Sequence, residues 1–486
     1  MSPLASLTAA ALVAAVVVAF LPTSPRRTPG SLTPWAVALA AVAAAVGTVD
    51  AIVERHDVAG AALMLLVTAL TAVVQLYAAR NLRGDPRARA FFALSALAAA
   101  GTVASIAAQD VLLLVSGWTL ATVSTIALIR TGGTHPQTRL AARRAGWALL
   151  VGDGALWAAV ILAVSTTGSS AFTALGRLSG STAVVVGVLV AVAAVARAGS
   201  FPFHGWLPAT AATSTPVSAL LHAGFVNGGA LLLLRFQPVP SSLGPWVLGL
   251  AGGATMLVAT VAMLTRPDVK GRLVQSTAAQ MGFMLVACAM GAFGVALFHV
   301  MGHALFKASL FLGAGSALER ELAQRTTVPT KRSRSGAVAG AVVVLVAAAG
   351  TAVATGALGH PASVLLLFVV ATAVVAGAAV GAGAVAAGVR AAWIAAVALA
   401  AIGYLAIVFP AAETLAAEAT GGTLPIAFAA ALFVSACILG VIARGTGPVA
   451  DRVFAFAFSW GRPPLPARRA AASTSAPFGP LEYGRL

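Results

Sequence analysis

Residues 183–208 read AVVVGVLVAVAAVARAGSFPFHGWLP, an apolar run that reaches Arg197 and then a segment with two glycines and two prolines. The run has no strict alternation of polar and apolar residues and is longer than the roughly 10 residues of a barrel strand, so it is typical of a helix in lipid. Pro202 and Pro208 cannot continue such a helix, and broken helices occur at membrane depth where they line a cavity. The stretch therefore predicts a broken transmembrane helix near 197–208, with a plain loop between two helices as the alternative.

Apolar runs of the same kind recur along the whole chain. Of the 486 residues, 60% are hydrophobic and 9% are charged, against roughly 25% charged in an ordinary soluble domain. The runs lie at about 4–22, 35–53, 58–79, 88–108, 111–129, 143–165, 183–203, 215–235, 244–264, 272–291, 293–316, 336–358, 363–388, 391–410 and 423–443. This pattern excludes a soluble enzyme and predicts an all-α polytopic membrane bundle of about 15 transmembrane helices.

The charged residues of the loops predict an orientation. The net charge is +17, and the basic residues cluster after the first, third, fifth, ninth and eleventh runs, where retention on the cytoplasmic side and lipid headgroups account for them without nucleic acid. In a multi-pass protein of the cell membrane, this alternation places the N-terminus outside and the C-terminus inside. Residues 1–443 are then the membrane domain, and residues 444–486 an Arg-, Pro- and Ser-rich, disordered cytoplasmic tail.

Few ionisable residues lie inside the apolar runs, and each is a functional candidate because burying it in lipid costs a few kcal/mol. They are Asp153, Arg197, His222, His299, His303 and Lys307.

Three of these candidates lie on one helix face. His299, His303 and Lys307 are spaced i, i+4, i+8, which puts them on one stripe that rises about 12 Å. Such a stripe suits proton transfer along the membrane depth. The structural alternative is a buried histidine or lysine that pairs with Asp153 or a backbone carbonyl and fixes the helix packing. A metal site lacks a third ligand, and the chain shows no cysteine pair and no nucleotide loop, so we predict neither metal nor cofactor.

Four motifs surround these residues. They are FPFHGWLP at 201–208, TPVSALLHAGFVNGG at 215–229, DVKGRLVQSTAAQMG at 268–282 and HVMGHALFKA at 299–308. Together they resemble the proton-conducting antiporter-like superfamily, over about residues 60–320. That superfamily includes large membrane subunits of respiratory complex I, Mrp-type sodium/proton antiporters, and the DabB subunit of inorganic carbon transporters. The sequence at 203–206 and 222–229 is most similar to that of DabB.

The resemblance implies a role for each candidate. Arg197 stands in place of the lysine beside the broken helix, and Asp153 matches an intramembrane Asp that follows a glycine. The proton-path positions match His222, His299, His303 and Lys307. The chain departs from the pattern at Thr119, where the family usually has a glutamate, and at Ala209 and Ala212, where it tends to have acids. The run at 336–358 also lacks the lysine of the family's second broken helix.

The resemblance also implies a function. It predicts the proton-conducting membrane subunit of an energy-coupled bicarbonate or CO2 uptake complex, not itself an enzyme, whose partner is a cytosolic, zinc-containing, carbonic-anhydrase-like subunit of the DabA type. The alternatives are a proton- or sodium-translocating subunit of an NADH–quinone oxidoreductase or Mrp antiporter, and a membrane scaffold whose proton path has decayed.

Overall fold

The computed structural model describes residues 3–21, 31–54, 57–133, 136–314, 334–354 and 447–461, together with isolated residues between 391 and 442. All the secondary-structure elements named in these ranges are helices. Their bounds are α1 Pro3–Val18, α2 Thr33–Val53, α3 Val58–Asn81, α4 Ala88–Ile106, α5 Val111–Thr131, α6 Pro136–Thr167, α7 Gly180–Arg197, α8 Trp206–Ala209, α9 Thr215–Ala223, α10 Gly228–Arg235, α11 Gly244–Leu264, α12 Val269–Ala289, α13 Phe293–Leu312, α14 Arg334–Ala354 and α15 Pro448–Gly461.

The all-α membrane fold predicted from the apolar runs is confirmed. In lipid a chain has no water to satisfy its peptide groups, and an α-helix pairs them within itself. The first twelve runs each coincide with helix, and nine spans in the described residues are long and apolar enough to cross a membrane. The predicted run at 363–388 lies outside the described residues, and the runs at 391–410 and 423–443 are described only in part.

Aspartates begin three of the helices. The side chains of Asp57, Asp110 and Asp268 accept hydrogen bonds from backbone N–H groups in the first turns of α3, α5 and α12. These caps satisfy N–H groups that have no partner within the helix. They place these three acids at helix ends rather than in the core.

Glycine pairs let two helix pairs pack closely. A Cβ atom on Gly101 of α4 would lie 2.7 Å from the carbonyl oxygen of Gly117 on α5. The same replacement at Gly252 of α11 would bring Cβ to 2.7 Å from the carbonyl oxygen of Gly282 on α12. Small residues at such contacts allow van der Waals packing between helices, which is what holds bundles together in lipid.

The predicted break after Arg197 is present. α7 ends at Arg197. Two residues further on, Gly199 has φ +63°, a left-handed conformation that stops the helix from continuing. The chain then continues as short turns and α8. Trp206 donates from Nε1 to the Ala196 carbonyl at 3.1 Å, and Phe201 donates its N–H to Thr255 Oγ1 at 2.8 Å. These two bonds use backbone groups next to the break, and they tie the segment to α7 and α11.

A second break interrupts the run at 215–235, which the hydropathy pattern treated as one continuous helix. A 3₁₀ turn at Phe225–Asn227 separates α9 from α10. The signal in the sequence was Gly224 together with Gly228 and Gly229, since glycine weakens a helix interior. Gly229 brings α10 close to α7: a Cβ atom there would lie 3.1 Å from the Ala194 carbonyl oxygen.

The prediction of a disordered tail from about 444 is wrong for Pro448–Gly461, which form α15. Ala457 is buried against Val261 and Ala262 of α11, and Gln275 Nε2 of α12 donates to the Gly461 carbonyl at 3.3 Å. The Pro- and Ser-rich composition that suggested disorder belongs mainly to residues 462–486, which lie outside the described residues.

Candidate ion path

Arg197 and Asp153 meet inside the bundle. Arg197 Nη2 lies 3.7 Å from Asp153 Oδ1, and both side chains are almost fully buried. The same guanidinium nitrogen donates to Thr122 Oγ1 at 2.7 Å, and Trp118 Nε1 donates to Asp153 Oδ1 at 2.8 Å. The pair is therefore neutral overall and is held by neutral hydrogen-bonding groups.

Aromatic rings enclose the guanidinium. Arg197 Cζ lies 3.6 Å from the ring centroid of Trp118 and 4.1 Å from that of Phe225. Both distances are within the range of a cation–π interaction, which strengthens when water is excluded. Gly228 lies beside both side chains, since a Cβ atom there would be in van der Waals contact, 3.5 Å from Arg197 Cγ and from Trp118 Cζ3. Because arginine stays protonated, this geometry suits a fixed positive charge better than a proton carrier.

Thr119 occupies the position where the superfamily usually has a glutamate. Its hydroxyl donates to the Val115 carbonyl at 2.9 Å and accepts a hydrogen bond from Trp157 Nε1 at 3.0 Å. The carboxylate that pairs with Arg197 comes instead from Asp153 of α6.

Lys307 is fully buried on α13 and points toward α12. Its Nζ donates to Ser276 Oγ at 2.7 Å and to the Leu273 carbonyl at 3.3 Å. No carboxylate forms an ion pair with it among the described residues, and Asp153, the partner considered from the sequence, contacts Arg197 instead. Two neutral oxygens orient the amine without neutralising a charge on it.

The two histidines of α13 continue the stripe. The ring centroids of His299 and His303 lie 5.8 Å apart, and His299 also contacts the ring of Phe283 at 5.1 Å. Neither ring nitrogen of His303 has a partner among the described residues, nor does His299 Nε2. Buried polar atoms normally have hydrogen-bond partners, so these nitrogens indicate sites for water.

His222 reaches the same region from α9. Its Nε2 lies 3.1 Å from Thr210 Oγ1, and its ring stacks on Phe311 of α13 with centroids 4.7 Å apart. Phe311 lies one turn beyond Lys307 on the buried face of α13, so the His222 ring packs beside the same stripe. The structure thus brings the three histidines and Lys307 into one line, between α9 and α13.

The six predicted residues form two groups. One group is the Arg197–Asp153 pair, and the other is the histidine–lysine line. No hydrogen bond or ion pair between described residues joins the two groups directly.

A hydroxyl-bearing segment lies at one end of the line, and none of its residues is among the six candidates from the sequence. Lys270 Nζ donates to the Thr213 carbonyl at 2.9 Å, and Thr213 Oγ1 lies 3.0 Å from Ser218 Oγ. Thr213 also lines a cavity of about 340 Å³ that reaches the α3–α4 loop. There a side-chain hydrogen bond from Arg87 lowers the pKa of Asp85. Serine and threonine are too common in loops for the sequence to single out this end.

These features define a class of protein: a polytopic helical membrane protein that encloses a line of ionisable side chains. The family described as NADH:quinone oxidoreductase/Mrp antiporter, TM, matches residues 108–389. The match covers more than half of the chain, and the chain belongs to this family.

Individual relatives carry more specific names. The chain is 36% identical over 269 residues to the probable inorganic carbon transporter subunit DabB1 of Halothiobacillus neapolitanus, covering 52% of this chain and 48% of that protein. It is 33% identical over 272 residues to the probable inorganic carbon transporter subunit DabB of Bacillus subtilis, covering 54% of each. The chain thus matches about half the length of these curated relatives.

A solved structure agrees with the fold over nearly the whole chain. The Mrp complex from Dietzia sp. DQ12-45-1b superposes with a TM-score of 0.62 at 22% identity, covering 94% of this chain and 59% of that one. At this level of identity the similarity concerns the fold alone.

Proposed function

We propose that this chain is the proton-conducting subunit of an energy-coupled uptake complex for inorganic carbon, bicarbonate or CO2, in the cell membrane. The observation that carries the proposal is the buried amine of Lys307, which among the described residues is held by neutral oxygens only, and which shares one helix stripe with His303 and His299. The names of the DabB relatives support the choice of inorganic carbon as the substrate class.

The energy of one proton is sufficient for such a task. A charge that falls through about 100 mV releases about 2.3 kcal/mol. Since about 1.4 kcal/mol corresponds to a factor of ten, one proton supports roughly fiftyfold accumulation of a neutral solute.

The proposal includes a soluble partner. The resemblance to DabB implies a cytosolic, zinc-containing, carbonic-anhydrase-like subunit of the DabA type, which would hydrate CO2 while this chain supplies the ion flux. In this division of labour the membrane chain itself is a transporter subunit and catalyses no hydration.

A second candidate function is a proton- or sodium-translocating subunit of an NADH–quinone oxidoreductase or an Mrp antiporter. The family description and the fold of the Mrp complex support it. The Arg197–Asp153 pair weighs against a relay like that of the superfamily, since arginine replaces the lysine that would exchange protons there.

Co-expression tests the proposal. In a host that lacks carbonic anhydrase and cannot grow in air, the chain together with its soluble partner should restore growth, while the chain alone should not. Lys307→Ala should abolish rescue. Ser309→Ala is the matched control, because Ser309 lies on the same helix but is exposed, and it should rescue normally.

Three results would contradict the proposal. They are rescue by the chain alone, failure of the pair to rescue, and rescue by Lys307→Ala at the normal level. Purification of the chain from native membranes separates the two functions, because a co-purifying soluble zinc protein supports carbon uptake, whereas respiratory or antiporter subunits support the second candidate.

A further inference from the structure

Asn227 lies at the second helix break, in the turn between α9 and α10. Its side chain is 6% exposed, and Nδ2 donates to the Ala223 carbonyl at 2.7 Å. Its Oδ1 atom has no hydrogen-bond partner among the described residues. A buried amide oxygen without a partner destabilises the fold, so its presence calls for a ligand.

The side chain lines a cavity at the break. This cavity has a volume of about 40 Å³, and Gly224, Gly228, Leu297 and Val300 also line it. About 10–15 Å³ of such space is enough for one water molecule. Most of the lining is apolar, and Asn227 Oδ1 and the hydroxyl of Thr102, which also lines the cavity, are the side-chain groups that would fix a water there.

The cavity continues the line of histidines. Val300 and His303 lie one turn apart on the buried face of α13, and both ring nitrogens of His303 are without partners among the described residues. The histidine line and the cavity at Asn227 are therefore neighbours, and both contain buried polar atoms that a water molecule could satisfy.

Beyond the break, α10 leads to one surface of the bundle. At its end, Arg235 Nη2 lies 3.0 Å from Asp57 Oδ2, in the loop between α2 and α3. The start of α9 lies at the other surface, beside the Arg-rich α3–α4 loop. Asn227 thus lies between the two surfaces, beside the histidine line, and α10 leads from it to the surface that carries the Arg235–Asp57 pair.

We propose that Asn227 holds water in this cavity and is a further residue of the ion path, linking His303 to the surface at Arg235 and Asp57. The inference rests on the proposed proton conduction. At each exchange the water accepts a proton from one neighbour and releases one to the next, so the water itself is unchanged.

Proton flux tests the assignment. The complex of chain and partner is reconstituted in vesicles with a trapped pH dye, and flux is measured under an imposed potential. Asn227→Leu, which removes the acceptor and fills the cavity, should lower flux at least tenfold. Asn227→Ser keeps an oxygen and room for water, and should retain at least a third of it. Asn81→Leu, the same change at an exposed position, should conduct like the unmodified chain.

Cysteine labelling tests for the water independently of flux. In a chain with Cys288 and Cys437 replaced by alanine, Asn227→Cys should react with a small hydrophilic thiol reagent such as aminoethyl methanethiosulfonate. Leu232→Cys is the control, because Leu232 is fully buried in α10 and does not line the cavity at the break. It should stay unlabelled.

The outcomes separate this inference from the proposed function. Normal flux in a correctly folded Asn227→Leu complex, or an Asn227→Cys variant as unreactive as Leu232→Cys, overturns the role of Asn227 while proton conduction stands. A complete absence of flux in the unmodified complex overturns proton conduction and the role of Asn227 with it. Flux that is lost in Asn227→Leu and kept in Asn227→Ser, together with labelling of Asn227→Cys, supports both.

Discussion

Lys307 is a buried lysine without a carboxylate partner among the described residues. A lysine in lipid pairs with an ionisable group or with backbone carbonyls, and only a carboxylate neutralises its charge. Lys307 Nζ donates to Ser276 Oγ and the Leu273 carbonyl, which leave a charge on it unneutralised. These bonds hold the amine in place whether it carries a proton or not, which is what a proton relay requires.

The first prediction separates charge from proton exchange at this position. Lys307→Ala should abolish carbon uptake, while expression and binding of the partner stay intact. Lys307→Arg should also lose most of the uptake, because arginine keeps its charge but does not release a proton at physiological pH. Uptake by Lys307→Arg at the normal rate would show that the residue is structural.

The second prediction concerns the Arg197–Asp153 pair. Asp153→Asn leaves a buried guanidinium without its carboxylate, and loss of one partner of a buried pair costs about 3–5 kcal/mol. The double variant Asp153→Asn with Arg197→Met removes both charges and keeps an apolar side chain between the rings. It should therefore be more stable than Asp153→Asn alone.

Thermal unfolding in detergent measures this double-mutant cycle. If the two changes simply added, the double variant would be the least stable of the set, and the two residues would not act as a pair.

At the scale of elements, α15 links the C-terminal part of the chain to the first helix break. The ring of Trp460 stacks on His204 with centroids 4.5 Å apart, and His204 stacks in turn on Phe201 at 5.8 Å. His204 and Phe201 belong to the segment that joins Arg197 to α9. Through this stacking, α15 orders the turns that position Arg197 and Thr210.

The third prediction removes this stacking. Trp460→Ala should speed amide hydrogen exchange across residues 201–212, because the stacking that orders the segment is lost. Phe456→Ala provides a control on the same helix, since the side chain of Phe456 is 59% exposed. Equal exchange rates in both variants would show that α15 does not order the break.

For the whole molecule, the distribution of charge predicts how the bundle lies in the membrane. The Arg-rich α3–α4 loop lies at one end, and the Arg235–Asp57 pair lies at the other. Basic loops stay on the cytoplasmic side. We therefore expect the N-terminus outside and the C-terminus inside.

The fourth prediction tests this orientation in intact cells. With the native cysteines replaced by alanine, Ser242→Cys, in the exposed loop before α11, should react with an impermeant thiol reagent from outside. Asn81→Cys, at the exposed end of α3, should react only after the cells are opened. The reverse pattern would invert the topology.

The apolar runs alone determined the class of fold and the approximate positions of most of the described helices. Each helix satisfies its own backbone in lipid, so its existence depends on local composition and needs no partner. The break after Arg197 was predictable for the same reason, because Gly199 and Pro202 act on the backbone around them. The candidate site residues were also visible, since an ionisable residue in an apolar run is conspicuous.

Only the tertiary structure decided which of these groups meet. Asp153 pairs with Arg197, whereas Lys307 donates to Ser276. These pairings depend on how separate helices are rotated and how deep each residue lies in the bundle. The fold of α15 depends on distant contacts with α11 and His204, so its local composition misled the prediction of disorder. Likewise, the unpartnered oxygen of Asn227 becomes visible only when the surrounding helices close the cavity. Helices form through bonds between near neighbours in the chain, whereas pairs and cavities form between residues that packing alone brings together.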